Sequence, residues 1–244
     1  MRRVVGVIVA SWLAAGSAWS VEDAQPAASA AAAPQLTRLY FAGADLWRNG
    51  AFAHAGLLWS PRGLDTEGFT LKLLLATGAY RNHAEPGQPE VVGSQLLGAV
   101  MPGWRFKFEK LEFTGAVGLD LQHHRFVPDD PASRYRGSHA GVRGGVDLWY
   151  EPAPNLMLAA NVSASTIGPS YWSRTAAGVR LLDAVWIGPE LHALGDPTYR
   201  QYRVGAHVTG LKLFRYEWSA GAGYVTDSDR RRGPYVRFGV LARR

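Results

Sequence analysis

From about Arg38 onward the chain places apolar side chains at every second position, in segments on the order of ten residues, each closed by turn chemistry. Successive side chains on a strand point to opposite faces, so each segment has two distinct sides. The stretch Val185 to Leu213 shows what those sides are. Val185, Ile187, Leu191 and Ala193 share one face, and Trp186, Glu190 and His192 share the other. After a turn at Gly195-Asp196-Pro197, Tyr202, Val204, Ala206 and Val208 oppose Arg203, Gly205, His207 and Thr209. One face is oily; the other carries carboxylate, imidazole and guanidinium groups among glycines.

The same division recurs along the chain. Tyr40, Ala42, Ala44 and Leu46 oppose Phe41, Gly43 and Asp45, and Phe69, Leu71, Leu73 and Leu75 oppose Thr70, Lys72 and Ala76. Leu111, Phe113, Val117 and Leu119 oppose Glu112, Thr114, Gly118 and Asp120, and Ala140, Val142, Val146 and Leu148 oppose His139, Arg143 and Asp147. Further on, Arg174, Arg180, Glu217 and Arg237 occupy the non-apolar face of their segments. A soluble sandwich also alternates, but its inward face holds large aliphatics and its outward face is evenly polar. Glycines beside isolated acids and bases suit a narrow barrel interior, where charges are neutralised in place. Trp47, Trp59, Tyr80, Trp104, Trp149, Tyr150, Tyr171 and Trp172 fall near segment ends, in the manner of interfacial girdles. The expected fold is therefore all-β: an antiparallel transmembrane barrel of the outer membrane, with about twelve strands by this count.

Tight connections at Phe106 to Lys110, Glu151 to Asn155, Asp183-Ala184 and Phe214-Arg215 are expected in the periplasm. The longer ones, Arg81 to Glu90, Pro128 to Gly137 and Asp227 to Gly233, are expected to point outward. Pro102-Gly103 interrupts the segment Val91 to Arg105, where a bulge or an extra turn is expected.

Ahead of the barrel, Arg2 and Arg3 precede an apolar run from Val4 to Ala15 and then small residues, the parts of a cleaved secretory signal peptide over residues 1–20. Residues 21–36 are rich in alanine and proline and read as a tail or linker, leaving 37–244 for the barrel. The formal charge of +6 falls by two when Arg2 and Arg3 are removed, too little and too scattered for a nucleic-acid partner. The absence of cysteine excludes disulfides and thiolate metal sites.

Several pieces carry a family resemblance: Gly188-Pro189-Glu190, Gly195-Asp196, the run Tyr199 to Gly210, Phe41-Ala42-Gly43-Ala44-Asp45, Tyr171-Trp172-Ser173-Arg174, and the closing pair Asp227 and Tyr235. Together they resemble the cellulose biosynthesis protein BcsS family over nearly everything after the linker. The resemblance implies a role in bacterial cellulose production at the outer membrane, with the synthase or secretion components and the glucan chain as partners beside membrane lipid. It supplies no catalytic residues.

The polar-face residues Asp45, Lys72, Glu112, Asp120, Arg143, Asp147, Arg174, Arg180, Glu190, Arg203, His207, Glu217 and Arg237 are the candidate lumen network. Two readings stand: cross-strand ion pairs that hold the barrel together, or a polar track for a glucan or small solute, with Trp186 and Tyr235 as stacking candidates. His123-His124 with Asp129-Asp130 invites a metal, but adjacent residues on a strand face opposite ways, so no metal or other cofactor is assigned. A lipid-modifying barrel enzyme is the rival in class, with Ser138-His139 and Ser170 as its pieces, but no spacing ties them to a base, and the expectation is a non-catalytic protein.

Overall fold

The computed structural model describes residues 35–82, 90–130 and 133–244. The expected signal segment 1–20 and the linker up to residue 34 lie outside the described residues. Twelve strands follow in chain order: β1 (Arg38–Trp47), β2 (Gly50–Trp59), β3 (Gly68–Asn82), β4 (Val91–Phe108), β5 (Leu111–Val127), β6 (Gly137–Ala153), β7 (Leu156–Ser165), β8 (Ser170–Leu181), β9 (Val185–Gly195), β10 (Arg200–Leu213), β11 (Tyr216–Asp227) and β12 (Arg232–Arg243). Each pairs antiparallel with its neighbours in sequence, and β1 pairs with β12, so the sheet closes into a barrel. At the seam the main chains of Arg38 and Arg244 bond in both directions, at 2.6 and 2.7 Å. Closure leaves no unpaired edge, which is what allows a sheet to stand in hydrocarbon.

The oily positions of the alternation face outward. Leu75, Val100, Leu119, Val142, Val162, Val179, Leu191, Val204 and Phe238 are exposed on the outer wall, and the charged positions are buried inside. The connections at the end bearing the termini are short at 109–110, 154–155, 182–184 and 214–215, whereas β3 is joined to β4, and β5 to β6, at the opposite end. Short turns mark the periplasmic side of such barrels, so the termini lie there.

Three local features depart from the sequence reading. The first is β4, which runs unbroken from Val91 to Phe108. Its ladder to β5 lapses at Met101 and Pro102 and resumes in the same register, since proline removes a donor without adding a residue. The irregularities fall elsewhere: between Tyr150 and Ala153, and between Thr209 and Leu211, where Gly210 has a φ of 88°. The second is the β2–β3 connection, residues 60–67, which is long and caps the periplasmic mouth. Ser60 N donates to Thr37 O at 2.9 Å, Leu64 N donates to Leu36 O at 2.7 Å, and the fully buried Leu64 offers its carbonyl to the Arg105 guanidinium.

The third concerns the aromatics. Trp59, Trp104 and Tyr150 face outward near the periplasmic end with Phe69, Phe106, Phe108, Tyr216 and Trp218, but Trp47, Tyr80, Trp149 and Trp172 point into the barrel. Several inward rings lie flat on a glycine directly across the ladder: Phe41 on Gly56, Phe52 on Gly78, Tyr80 on Gly93 and Tyr235 on Gly223. A Cβ at any of these glycines would collide with the ring, so the small residue on one strand makes room for the large one on its neighbour.

Candidate functional site

The interior charges sort into separate groups, each drawn from several strands. Glu190 of β9 is the hub of the largest. It accepts from Arg174 of β8 (Nε 3.1 Å, Nη2 3.0 Å), from Arg237 of β12 (Nε 2.8 Å, Nη2 2.6 Å) and from the Tyr235 hydroxyl at 3.0 Å. His192 Nε2 stands 3.4 Å from the same carboxylate, and its ring is wedged edge-on between Trp172 and Tyr235. Two guanidinium groups on one carboxylate leave an excess of positive charge; beside them stands a second group, an acid paired with a base. There Arg203 of β10 lies 3.5 Å from Asp45 of β1, donates Nε to Gln201 at 2.9 Å, and stacks over Trp47 and Tyr235.

This line of contacts reaches the outer rim. Gln201 donates to the Tyr199 hydroxyl at 3.0 Å, and Tyr199 donates to Asp227 at 3.2 Å. Burial and then the Asp227 carboxylate push the Tyr199 phenol above its ordinary range, which keeps it a donor. The residues that carry the family resemblance therefore converge: Asp45, Trp172, Arg174, Glu190, Tyr199, Arg203, Asp227 and Tyr235 belong to one contact chain.

Elsewhere Asp120 accepts from Arg143 at 2.8 Å, Ser165 at 2.5 Å and Gln122 at 2.8 Å. Lys72 pairs with Asp147 at 2.8 Å, and Asn161 donates to the same carboxylate at 3.0 Å. Toward the periplasm, Glu112 meets Lys107 at 3.3 Å and Arg105 at 3.6 Å, Glu151 meets Arg180 at 3.4 Å, and Glu217 meets Arg243 at 3.4 Å. His207 does not join the carboxylates: Nε2 donates to the Ala177 carbonyl at 3.1 Å, so Nδ1 accepts from Thr209 at 3.0 Å. A buried charge left unpaired is costly, and these groupings answer that cost by pairing acids with bases locally, although the Asp45 carboxylate and the Arg203 Nη1 and Nη2 groups face each other without a hydrogen bond.

The interior is filled. Asp45, Asp120, Arg143, Arg174, Glu190, Arg203, His207 and Arg237 are all 5% exposed or less, although they line the axis where a water-filled channel would expose them. The mid-barrel cavity beside Lys72, Arg143, Asp147 and Trp172 measures ≈ 30 Å³, room for about one or two waters. The stacking candidates are covered as well. Trp186 has the Arg180 guanidinium 4.4 Å from its ring centre and Trp149 edge-on at 6.4 Å, and Tyr235 lies between Arg203 and His192. His123 and His124 point to opposite sides, the first to Ser138 outside and the second to Gln122 inside. Ser138 holds His123 rather than its sequence neighbour His139, whose Nε2 donates to the Tyr135 carbonyl at 3.0 Å. Ser170 bonds the Ile167 carbonyl at 3.2 Å.

The candidate network left out Arg105, His192, Gln201, Asn161 and Ser165, although His192, Asn161 and Ser165 lie on the non-apolar face of their segments. Arg105, His192 and Gln201 share parity with a charged position two residues away, at Lys107, Glu190 and Arg203, and that was the signal that could have found them; Asn161 and Ser165 have only the alternation itself.

A family model described as cellulose biosynthesis protein BcsS matches residues 39–244. No curated protein matches the chain. Among solved structures, the deltaS2S3 mutant of the TodX monoaromatic hydrocarbon channel is similar with a TM-score of 0.53 at 8% identity, covering 86% of this chain and 90% of that one. The KdgM porin (TM-score 0.46, 13% identity, 84% and 98% covered) and LpxR from Salmonella typhimurium (TM-score 0.48, 12% identity, 84% and 99% covered) are more distant in shape. At such identities the likeness is one of fold: an outer-membrane β-barrel.

Proposed function

Since the chain belongs to the cellulose biosynthesis protein BcsS family, we propose that it serves cellulose production as a closed, non-catalytic outer-membrane barrel that anchors the synthase machinery, rather than as the passage for the glucan. One observation carries this reading. Eight of the charged side chains that line the axis are 5% exposed or less and packed against one another, while Lys72 and Asp147 keep 15% and 32% of their side-chain exposure beside a cavity of only ≈ 30 Å³. A single glucan chain needs a continuous bore several ångströms wide, lined by groups free to bond its hydroxyls. Here Glu190, Arg174, Arg237 and Tyr235 spend their bonds on each other.

The contact surfaces for a partner then lie at the ends. At the periplasmic end Phe214 and Leu182 project from their turns as exposed apolar tips beside Arg215 and Asp183, and residues 35–37 are tied to the 60–67 cap. The linker ahead of residue 35 starts from that face. An anchored synthase component meets the barrel there.

Conductance of the purified mature protein in planar bilayers tests the reading, with correct insertion checked by protease protection. A silent barrel, unchanged by soluble cello-oligosaccharides, is expected. Discrete channels that these sugars block would overturn it and restore the polar track as a passage.

A further inference from the structure

The outer wall carries a feature that neither a sealed interior nor anchoring requires. On the lipid-facing side of β5 the residues climb Leu119, Leu121, His123, Arg125, so an oily stripe turns basic within one strand. At ~3.3 Å per residue and a tilt of ~40°, the run from Leu111 to Leu121 climbs roughly 25 Å, the height of the apolar band of such barrels. His123 and Arg125 therefore sit at headgroup level on the outer side. On β10 and β11 the outward residue next to the small and aliphatic run is a tyrosine, Tyr202 and Tyr224, whereas on β5 it is His123 and then Arg125.

Below them the wall is dented. Gly98 of β4 lies directly across from Leu121, and a Cβ built there meets nothing within 4 Å. The groove it leaves is ≈ 500 Å³, lined by Leu57, Leu73, Leu75, Val100 and Leu121. Above, a cleft of ≈ 730 Å³ is lined by His123, Arg125, Asp129 and Arg136. Arg136 neutralises Asp129 at 2.8 Å, and Arg81 on β3, beyond β4, pairs with Glu90 at 3.5 Å. His123 uses Nδ1 on Ser138, at 2.9 Å, while its Nε2 and the Arg125 guanidinium have no partner among the described residues. The neighbouring cations are paired, whereas these two have no counter-charge among the described residues.

We propose that this groove and cleft form a binding site for a phosphorylated glycolipid of the outer leaflet, with acyl chains in the dent at Gly98 and a phosphate on Arg125 and His123. An arginine fork and an imidazole give directed bonds to phosphate oxygens, and the dent turns a convex wall into a surface that seats hydrocarbon. The lipid then ties β3, β4 and β5 together from outside, beside Asp129 and Arg136.

Native mass spectrometry of the folded barrel released from detergent tests the site, with diphosphoryl lipid A as probe and phosphatidylethanolamine as the zwitterionic control. Wild type is expected to retain lipid A and not the control, and millimolar inorganic phosphate is expected not to displace it. Losing two charge-assisted contacts in His123→Ala/Arg125→Glu is expected to lower retention about tenfold or more. Gly98→Leu, on a different strand and remote from the charges, fills the dent and is expected to weaken retention by a smaller factor with the folded-band mobility unchanged. Equal retention by all three proteins, equal retention of phosphatidylethanolamine, or displacement by free phosphate would each overturn the proposal.

Discussion

Removing the carboxylate at position 190 is the most direct perturbation of the interior. Glu190→Ala leaves the Arg174 and Arg237 guanidinium groups, bonded to it at 2.6 to 3.1 Å, facing each other with no counter-charge. Breaking a buried ion pair by deleting one partner costs about 3–5 kcal/mol, and because two cations share this carboxylate the upper end is expected. Glu190→Gln keeps an acceptor and removes only the charge, so about 1.5–3 kcal/mol is expected, the worth of hydrogen bonds to a charged group. Combining Glu190→Ala with Arg237→Ala should recover about 1–3 kcal/mol, the usual size of coupling between contacting residues. Urea unfolding of the barrel in lipid vesicles, followed by tryptophan emission and by the electrophoretic shift between folded and unfolded bands, reads all three. If Glu190→Ala cost less than about 1 kcal/mol, the charges would be behaving as solvent-exposed pairs do. The interior would then be wet, and the closed reading would fail with it.

Other outcomes follow from the same packing. Arg143→Ala combined with Trp172→Gly enlarges the ≈ 30 Å³ cavity between two charge groups and is expected to convert a silent barrel into a conducting one in planar bilayers. Gly118→Val places a side chain against the Val100 carbonyl of β4 and is expected to destabilise the barrel by about 2 kcal/mol or more in the urea assay, whereas Gly98→Ala, which meets nothing, should change stability by no more than about 0.5 kcal/mol. Phe52→Ala uncovers Gly78 and is expected to cost about 3–5 kcal/mol, most of it regained by no single substitution at the glycine.

The faces of the strands were legible because alternation is local: Asp45, Arg174, Glu190, Arg203 and Arg237 all lie inside as their parity requires. Which acid meets which base was not legible. Asp45 reaches Arg203 across the β1–β12 seam, and Glu190 passes over two strands to Arg237. Those meetings depend on the stagger of strands around the axis and on how long side chains cross it, which no single segment encodes. The inward tryptophans were legible and were misread. Trp47 shares parity with Asp45, Trp149 with Asp147 and Trp172 with Arg174, but nearness to a segment end was weighed above parity. At Pro102 the reverse happened: a residue that breaks a ladder was expected to break the strand, and the uninterrupted β3 partner carries it through.

The seam also has a temporal side. Eleven of the barrel's strand pairings are hairpins that can form from residues close in the chain, but β1 meets β12 only when the two ends of the domain find each other, the slowest kind of encounter for a polymer. The Arg203 to Asp45 pair bridges that last ladder, with Trp47 of β1 and Tyr235 of β12 stacked on the same guanidinium. Contacts that come together after the rate-limiting step govern how fast a structure comes apart rather than how fast it assembles. The interior charges thus work as a latch: they let the cylinder close at the pace of its strands and then hold it shut for the lifetime of the membrane around it.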